Sequence, residues 1–83
     1  MPLEERMKEL IAVGASVTAN CLGCVEFHVA KAREDGADEE EIKEAIRVGK
    51  LVRRGAGHKF DKFAQGLMKG DRPASTTCGG ECA

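Results

Sequence analysis

The spacing of apolar residues along the first 69 positions is the feature that most constrains this chain. In the opening stretch they recur, with one glycine, at Leu3, Met7, Leu10, Ile11, Gly14 and Val17. Spacing of i, i+4, i+7 and i+8 is typical of one face of an α-helix. The 83 residues include three Phe but no Trp or Tyr. A core must therefore use Leu, Ile, Val, Met and Ala, which suit helices better than strands.

Three further segments show the same helical spacing. A second helix is predicted from Asn20, a good N-cap residue, to Gly36, which can adopt the left-handed conformation that ends helices. A third begins after Asp38, another N-cap residue. Two glycines in RRGAGH predict a break, and a fourth helix runs from about His58 to Lys69. We therefore expect an all-α fold, a small antiparallel bundle of about four helices.

The composition changes after Lys69. Residues 70–83, GDRPASTTCGGECA, have no apolar periodicity and are rich in Gly, Ser and Thr. This predicts a flexible tail that follows a helical domain over residues 1–69. A core this small rarely supplies more than about 3–5 kcal/mol of net stability, so we expect support from self-association or from crosslinks.

Charge and hydropathy argue against several classes of partner. The net charge is −1 with mixed signs, which favours neither nucleic acid nor an anionic membrane. The basic run KLVRRG is interpreted as a solvated helix end. No apolar run reaches the roughly 18 residues of a membrane span, and the N-terminus is acidic, unlike a signal peptide. We expect a cytoplasmic protein, in which a CxxC pair is usually catalytic or metal-binding.

The stretch CLGCVEFH brings together two cysteines and a histidine, side chains that can take part in catalysis or bind a metal. Each helical residue turns by about 100°, so Cys21, Cys24 and His28 share an arc of about 60°. The two cysteines are one turn apart, within disulfide reach if Cys21 begins the helix. A thiol at a helix N-terminus is acidified by free N–H groups and the helix dipole. His28 lies one turn beyond Cys24, where it can take or relay a proton.

Three interpretations of this stretch compete. The cysteines and the histidine can be ordinary buried side chains. They can be three ligands of a zinc or soft-metal site, with Cys78 or Cys82 as the fourth. A redox site needs only the two thiols and the base that are already present, and we favour it. The acidifying effect of a helix N-terminus favours Cys21 as the attacking thiol, whereas proximity to His28 favours Cys24.

A longer stretch carries a family resemblance. The segment CLGCVEFHVAKAREDGADEEEIKEAI, with ELIAVGASVTAN before it, resembles the AhpD-like proteins of the carboxymuconolactone decarboxylase superfamily. The resemblance covers roughly Leu3 to Met68. It implies an all-α fold that assembles into homo-oligomers, often trimers or hexamers. It also implies a cofactor-free alkylhydroperoxidase or thiol–disulfide oxidoreductase. Such an enzyme acts on a hydroperoxide or disulfide and is reduced by a dithiol of protein or lipoyl type.

The resemblance also implies residue roles. Cys24 matches the cysteine that attacks peroxide, Cys21 the resolving cysteine and His28 the relay histidine. Glu9 matches a relay glutamate, although its position alone indicates an acid that complements the helix dipole. The best-known member has a second histidine where this chain has Gly23, so the resemblance does not extend to peroxidase efficiency. Longer members also have an N-terminal half that this sequence lacks. Members that decarboxylate a lactone lack the cysteine pair, which disfavours that activity.

The tail carries a second cysteine pair, in CGGEC. Our hypothesis is a redox arm, in which Cys78 and Cys82 exchange with the Cys21–Cys24 disulfide of the same or a neighbouring subunit. Replacing both tail cysteines by serine is then expected to slow turnover of that disulfide, while the first thiol oxidation keeps its rate. Rapid mixing followed by acid quench and peptide mass measures both steps. If neither step changes in the double variant, the tail is not an arm.

Overall fold

Residues 2–70 form three α-helices joined by short turns. A computed structural model describes residues 2–70, so the predicted tail, with Cys78 and Cys82, lies outside the described residues from position 71 onward. The helices are α1 (Glu5–Thr18), α2 (Leu22–Glu34) and α3 (Glu39–Met68). No strand occurs between residues 2 and 70, and the predicted all-α class is confirmed. None of the three helices combines the length and the hydropathy needed to cross a membrane.

The predicted break between a third and a fourth helix is wrong. α3 continues for 30 residues through RRGAGH and includes both of its glycines. A helical glycine costs about 1 kcal/mol relative to alanine, which weakens a helix without ending it as proline would. Neither Gly55 nor Gly57 has a positive φ, whereas Gly36 does, at 97°, where α2 ends. The prediction confused low propensity with a stop signal.

Helix starts follow the sequence closely, with one shift. The Asp38 side chain accepts a hydrogen bond from the Glu41 N–H (2.8 Å), and the Glu41 carboxylate accepts one from the Asp38 N–H (3.1 Å). This capping box starts α3. The N-cap of α2, however, is Cys21 and not the predicted Asn20, which has a positive φ of 57°.

α1 is the central helix of the bundle. It packs against both α2 and α3, which contact each other little. The core is small and consists of Val13, Ala32, Ala37 and Ile42, against which Leu10, Val25, Val29, Ala45 and Ile46 pack. Leu3, Met7 and Ile11 belong to the apolar face predicted for the first helix, but they are exposed. The apolar surface of α1 is therefore wider than the part that α2 and α3 cover.

α1 and α3 are in close contact at Gly14 and Gly49. A Cβ added to Gly49 would clash with the Gly14 carbonyl oxygen and lie 2.8 Å from the Val17 Cβ. The Thr18 hydroxyl donates to the Gly49 carbonyl (2.9 Å), so this contact includes a hydrogen bond between the helices. Glycine at position 49 therefore sets the distance between α1 and α3.

Gly49→Ala is expected to destabilise the fold by about 1–3 kcal/mol, because the added methyl group meets backbone atoms that cannot move alone. Gly55→Ala is the matched control on the same helix, where a Cβ meets nothing within 4 Å. It is expected to stabilise by about 0.5–1 kcal/mol. Urea unfolding followed by circular dichroism measures both free energies, and equal effects of the two variants would contradict this role of Gly49.

Candidate redox site

Cys21 and Cys24 form a disulfide at the start of α2, with their Cα atoms 5.2 Å apart. Cys21 is the N-cap residue, and its Sγ accepts a hydrogen bond from the Cys24 N–H (3.3 Å). Cys21 is half-buried and Cys24 is exposed. A sulfur at the N-cap that receives an N–H is well placed to carry negative charge when the disulfide is open.

The turn between α1 and α2 fixes the backbone of Cys21. The Asn20 N–H donates to the Val17 carbonyl (3.1 Å) and the Cys21 N–H to the Ser16 carbonyl (3.0 Å). These two bonds, around a residue with positive φ, form a Schellman motif with asparagine in place of the usual glycine. The motif that ends α1 thus also places the first cysteine of the pair.

His28 lies one turn after Cys24 and contacts α1. Its Nδ1 is 2.7 Å from the Glu9 Oε1, and the two side chains are only 29% and 15% exposed. A carboxylate can only accept a hydrogen bond, so Nδ1 carries the proton and Nε2 of a neutral imidazole is left as an acceptor. The Phe27 ring meets the His28 ring edge to face, with centroids 5.0 Å apart.

Glu9 differs from its neighbours near the start of α1. Glu5 pairs with Lys8 at the surface (3.0 Å), whereas the Glu9 side chain is largely buried against α2. Glu9 lies one turn before Val13, which is fully buried. The position matched by the resemblance therefore lies on the inner side of α1, and the dipole-complementing interpretation does not describe its contacts.

Charged side chains continue along α2 beyond His28. Lys31 pairs with Asp35, their Nζ and Oδ1 atoms being 3.4 Å apart. The negative charge of Asp35 raises the pKa of Lys31, and Glu9 contributes to the same shift more weakly. The Glu9 carboxylate therefore lies within the electrostatic influence of a lysine as well as in contact with His28.

Sequence reasoning missed Arg53 of α3. Its Nη1 donates to the Val17 carbonyl at the end of α1 (3.1 Å) and to the Asn20 Oδ1 in the turn that precedes Cys21 (2.8 Å). The basic run KLVRRG was interpreted as a solvated helix end. Arg53 lies one turn after Gly49, a residue of α3 in close contact with α1, so the two residues share the side of α3 that faces α1.

The metal-binding alternative depends on residues that the structure does not describe. Between residues 2 and 70, no group of three or more His, Cys, Asp and Glu side chains is arranged to hold a metal ion. The additional ligands of that hypothesis, Cys78 and Cys82, lie beyond this range.

Fold and site together define a small helical protein with a disulfide-linked CxxC pair beside a Glu–His pair. The model of the carboxymuconolactone decarboxylase family matches residues 2–57, and the chain belongs to this family, which confirms the resemblance. It is 45% identical over 66 residues, or 80% of its length, to uncharacterized protein 4 in cox locus of Paracoccus denitrificans. The chain spans 60% of that relative's length. No solved structure matches significantly.

Proposed function

We propose that the chain is a thiol-dependent peroxidase of the alkylhydroperoxidase type, whose CxxC pair also serves thiol–disulfide exchange. The supporting observation is the contact between Glu9 and His28, one turn after Cys24, which leaves Nε2 available as a base. Membership of a family that includes alkylhydroperoxidases adds to this. The substrates are a hydroperoxide and a dithiol reductant, of protein or lipoyl type.

The first step oxidises Cys24. In the dithiol form, the His28 Nε2 takes the thiol proton, and the Glu9 carboxylate stabilises the resulting imidazolium through Nδ1. The thiolate attacks one peroxide oxygen, the O–O bond breaks and the alkoxide takes the proton back from His28. The products are an alcohol and the sulfenic acid of Cys24.

The second and third steps close and reopen the disulfide. The Cys21 thiol attacks the sulfenic sulfur, water leaves and the Cys21–Cys24 disulfide forms. A dithiol then attacks this disulfide and leaves as its own disulfide after two exchanges, which restores both thiols. Each cycle therefore moves two electrons from the dithiol to the peroxide.

Exposure and hydrogen bonding support Cys24 as the residue that attacks peroxide. Cys24 is the exposed member of the pair and the one nearer in sequence to His28. The Cys21 sulfur receives the Cys24 N–H, which makes it the better leaving group when a reductant attacks the exposed Cys24 sulfur. The two sulfurs thus have different tasks in the two halves of the cycle.

Cys24→Ser is expected to abolish dithiol-dependent reduction of an organic hydroperoxide, because the remaining thiol of the pair, Cys21, is not placed to replace it. Cys21→Ser is expected to allow one oxidation of Cys24 to the sulfenic acid and then stop. Stopped-flow peroxide consumption, with trapping of the sulfenic acid and peptide mass, distinguishes the two. Turnover that survives in Cys24→Ser but not in Cys21→Ser would reverse the assignment.

The Glu9–His28 pair is expected to affect thiol oxidation itself. His28→Ala removes the base and should slow this step by about 10²–10⁴-fold, the usual contribution of positioned proton transfer. Glu9→Gln should slow it less, because the amide still contacts the ring but carries no charge. Glu5→Gln is the matched control, an exposed glutamate on the same helix. Equal rates in Glu9→Gln and the control would contradict the relay role.

Two other outcomes would change the proposed function. If a disulfide forms only with disulfide oxidants and no peroxide is consumed, the chain is a thiol–disulfide oxidoreductase alone. About one equivalent of tightly held zinc per chain, in protein purified anaerobically, would contradict the peroxidase and favour the metal-binding alternative.

A further inference from the structure

Arg53 is a residue of α3 whose side chain reaches the turn directly before the cysteine pair. It is exposed, yet its Nη1 donates to the Val17 carbonyl (3.1 Å) and to the Asn20 Oδ1 (2.8 Å). Arg53 lies 36 and 33 residues after these two partners, so only the packing of α3 on α1 brings them together. The cycle of the proposed function gives Arg53 no task.

The two acceptors of Arg53 also interact with each other. The Asn20 N–H donates to the Val17 carbonyl (3.1 Å), one of the hydrogen bonds of the Schellman motif that ends α1. A carbonyl oxygen has two lone pairs, so Val17 can accept from Asn20 and from Arg53 at once. Arg53 therefore contacts both residues of a hydrogen bond that closes this turn.

Asn20 gives this contact a further effect. Its φ of 57° lies in a region that residues other than glycine adopt rarely, although asparagine tolerates it better than most. Asparagine also offers a side-chain acceptor that glycine lacks, and Arg53 uses it. Because Cys21 follows directly and is the N-cap of α2, the backbone of Asn20 sets the position of Cys21.

The charge of Arg53 favours the same contact. The carbonyl groups at the end of a helix carry partial negative charge and attract cations. α1 has no basic residue in its own last turn, so α3 supplies one through Arg53. A residue with this contact stabilises the end of α1 whether the disulfide is open or closed, and stability and positioning must therefore be measured separately.

We propose that Arg53 is a positioning residue for the redox pair. Through Val17 and Asn20, it holds the Cys21 backbone beside Cys24 when the disulfide is open. This role rests on the redox pair of the proposed function, but not on peroxide turnover.

The physical effect of such positioning is on the open form. In the closed form, the S–S bond ties Cys21 to Cys24 whatever the turn does. In the dithiol form, only the backbone of the turn keeps the two sulfurs near each other. A turn that is already ordered loses little conformational freedom when the S–S bond forms, so Arg53 favours the disulfide over the dithiol.

The same effect applies to one step of the proposed cycle. After peroxide has oxidised Cys24, the Cys21 thiol must meet the sulfenic sulfur, and the turn before Cys21 determines how often it does. Loss of Arg53 is therefore expected to slow closure of the disulfide but not the first oxidation of Cys24.

Equilibration with dithiothreitol tests the role without any peroxide. The two thiols of the pair form the S–S bond, and oxidised dithiothreitol takes up their two electrons and two protons to become the dithiol. The full-length chain is used with Cys78→Ser and Cys82→Ser, so that Cys21 and Cys24 are its only cysteines. Acid quench, alkylation and peptide mass give the ratio of disulfide to dithiol.

Arg53→Ala is expected to lower this equilibrium ratio by about 3- to 10-fold, the range that one or two exposed hydrogen bonds can supply. A tenfold fall corresponds to about 30 mV in reduction potential. Arg53→Lys should recover part of the ratio, because it keeps the charge and N–H donors on a shorter side chain. Arg54→Ala is the matched control for charge, about 100° further round the same helix, and should match the intact protein.

A double-mutant cycle tests whether the effect passes through Asn20. Asn20→Gly removes the Oδ1 acceptor but still allows the positive φ of the turn. Adding Arg53→Ala to Asn20→Gly should then lower the ratio less than Arg53→Ala does alone. An equal fall in the two backgrounds contradicts the path through Asn20 and with it the proposal.

Thr18→Val separates positioning of the turn from packing of the helices. The Thr18 hydroxyl bonds the Gly49 carbonyl, so this variant also loses a hydrogen bond between α1 and α3, but one that does not involve Asn20. It is expected to lower the free energy of unfolding, measured with urea, and to shift the disulfide ratio less than Arg53→Ala.

Hydrogen exchange observes the turn itself. The Cys21 N–H donates to the Ser16 carbonyl (3.0 Å), which protects it from exchange while the turn is formed. In Arg53→Ala, this amide is expected to exchange about 3- to 10-fold faster in the dithiol form and to change less in the disulfide form.

Three results would overturn the role of Arg53. They are an unchanged disulfide ratio in a folded Arg53→Ala variant, an equal shift in Arg54→Ala or Thr18→Val, and unchanged exchange of the Cys21 amide in the dithiol form. The proposed function fails separately: if the intact protein consumes no peroxide but the Arg53 effects are present, the peroxidase is wrong and the positioning role stands.

Discussion

The close approach of α1 and α3 at Gly14 and Gly49 is the constraint on which the rest of the structure depends. With no side chain at position 49, the two backbones come near enough for Thr18 to bond the Gly49 carbonyl. One turn further along α3, Arg53 reaches the end of α1 and the turn that precedes the cysteine pair. The contact between two glycines thus helps to position the turn from which the Cys21–Cys24 pair starts.

α1 contacts a different helix on each of two sides. One side meets α2 and brings Glu9 to His28, and the other meets α3 through the glycines. Its apolar surface is wider than these two contacts, which leaves Ile11 exposed beside an apolar groove that α1 and α3 line. Within residues 2–70, four apolar side chains are fully or nearly buried, which is a small core for a domain.

Much of the fold followed from local signals in the sequence. The capping box at Asp38 and the left-handed Gly36 are decided by a few neighbouring residues, so the start of α3 and the end of α2 were predictable. The length of α3 was not predictable in this way. The two glycines of RRGAGH lower the helix propensity of this stretch, yet the helix continues through it, so propensity alone did not decide where α3 ends. The Asn20 turn was missed because asparagine signals both a helix start and a left-handed helix end.

The candidate site likewise combines residues that are close in sequence with one that only the fold brings near. Cys21, Cys24 and His28 belong to one helix, so their relation could be worked out from spacing alone. Glu9 lies 19 residues before His28 and meets it only when α1 packs on α2. An unfolded chain therefore keeps the two thiols close along the sequence but has no Glu9–His28 pair. If the proposed function holds, disulfide formation by exchange needs only the two neighbouring thiols, whereas peroxide reactivity that uses the Glu9–His28 pair requires that α1 and α2 are correctly packed.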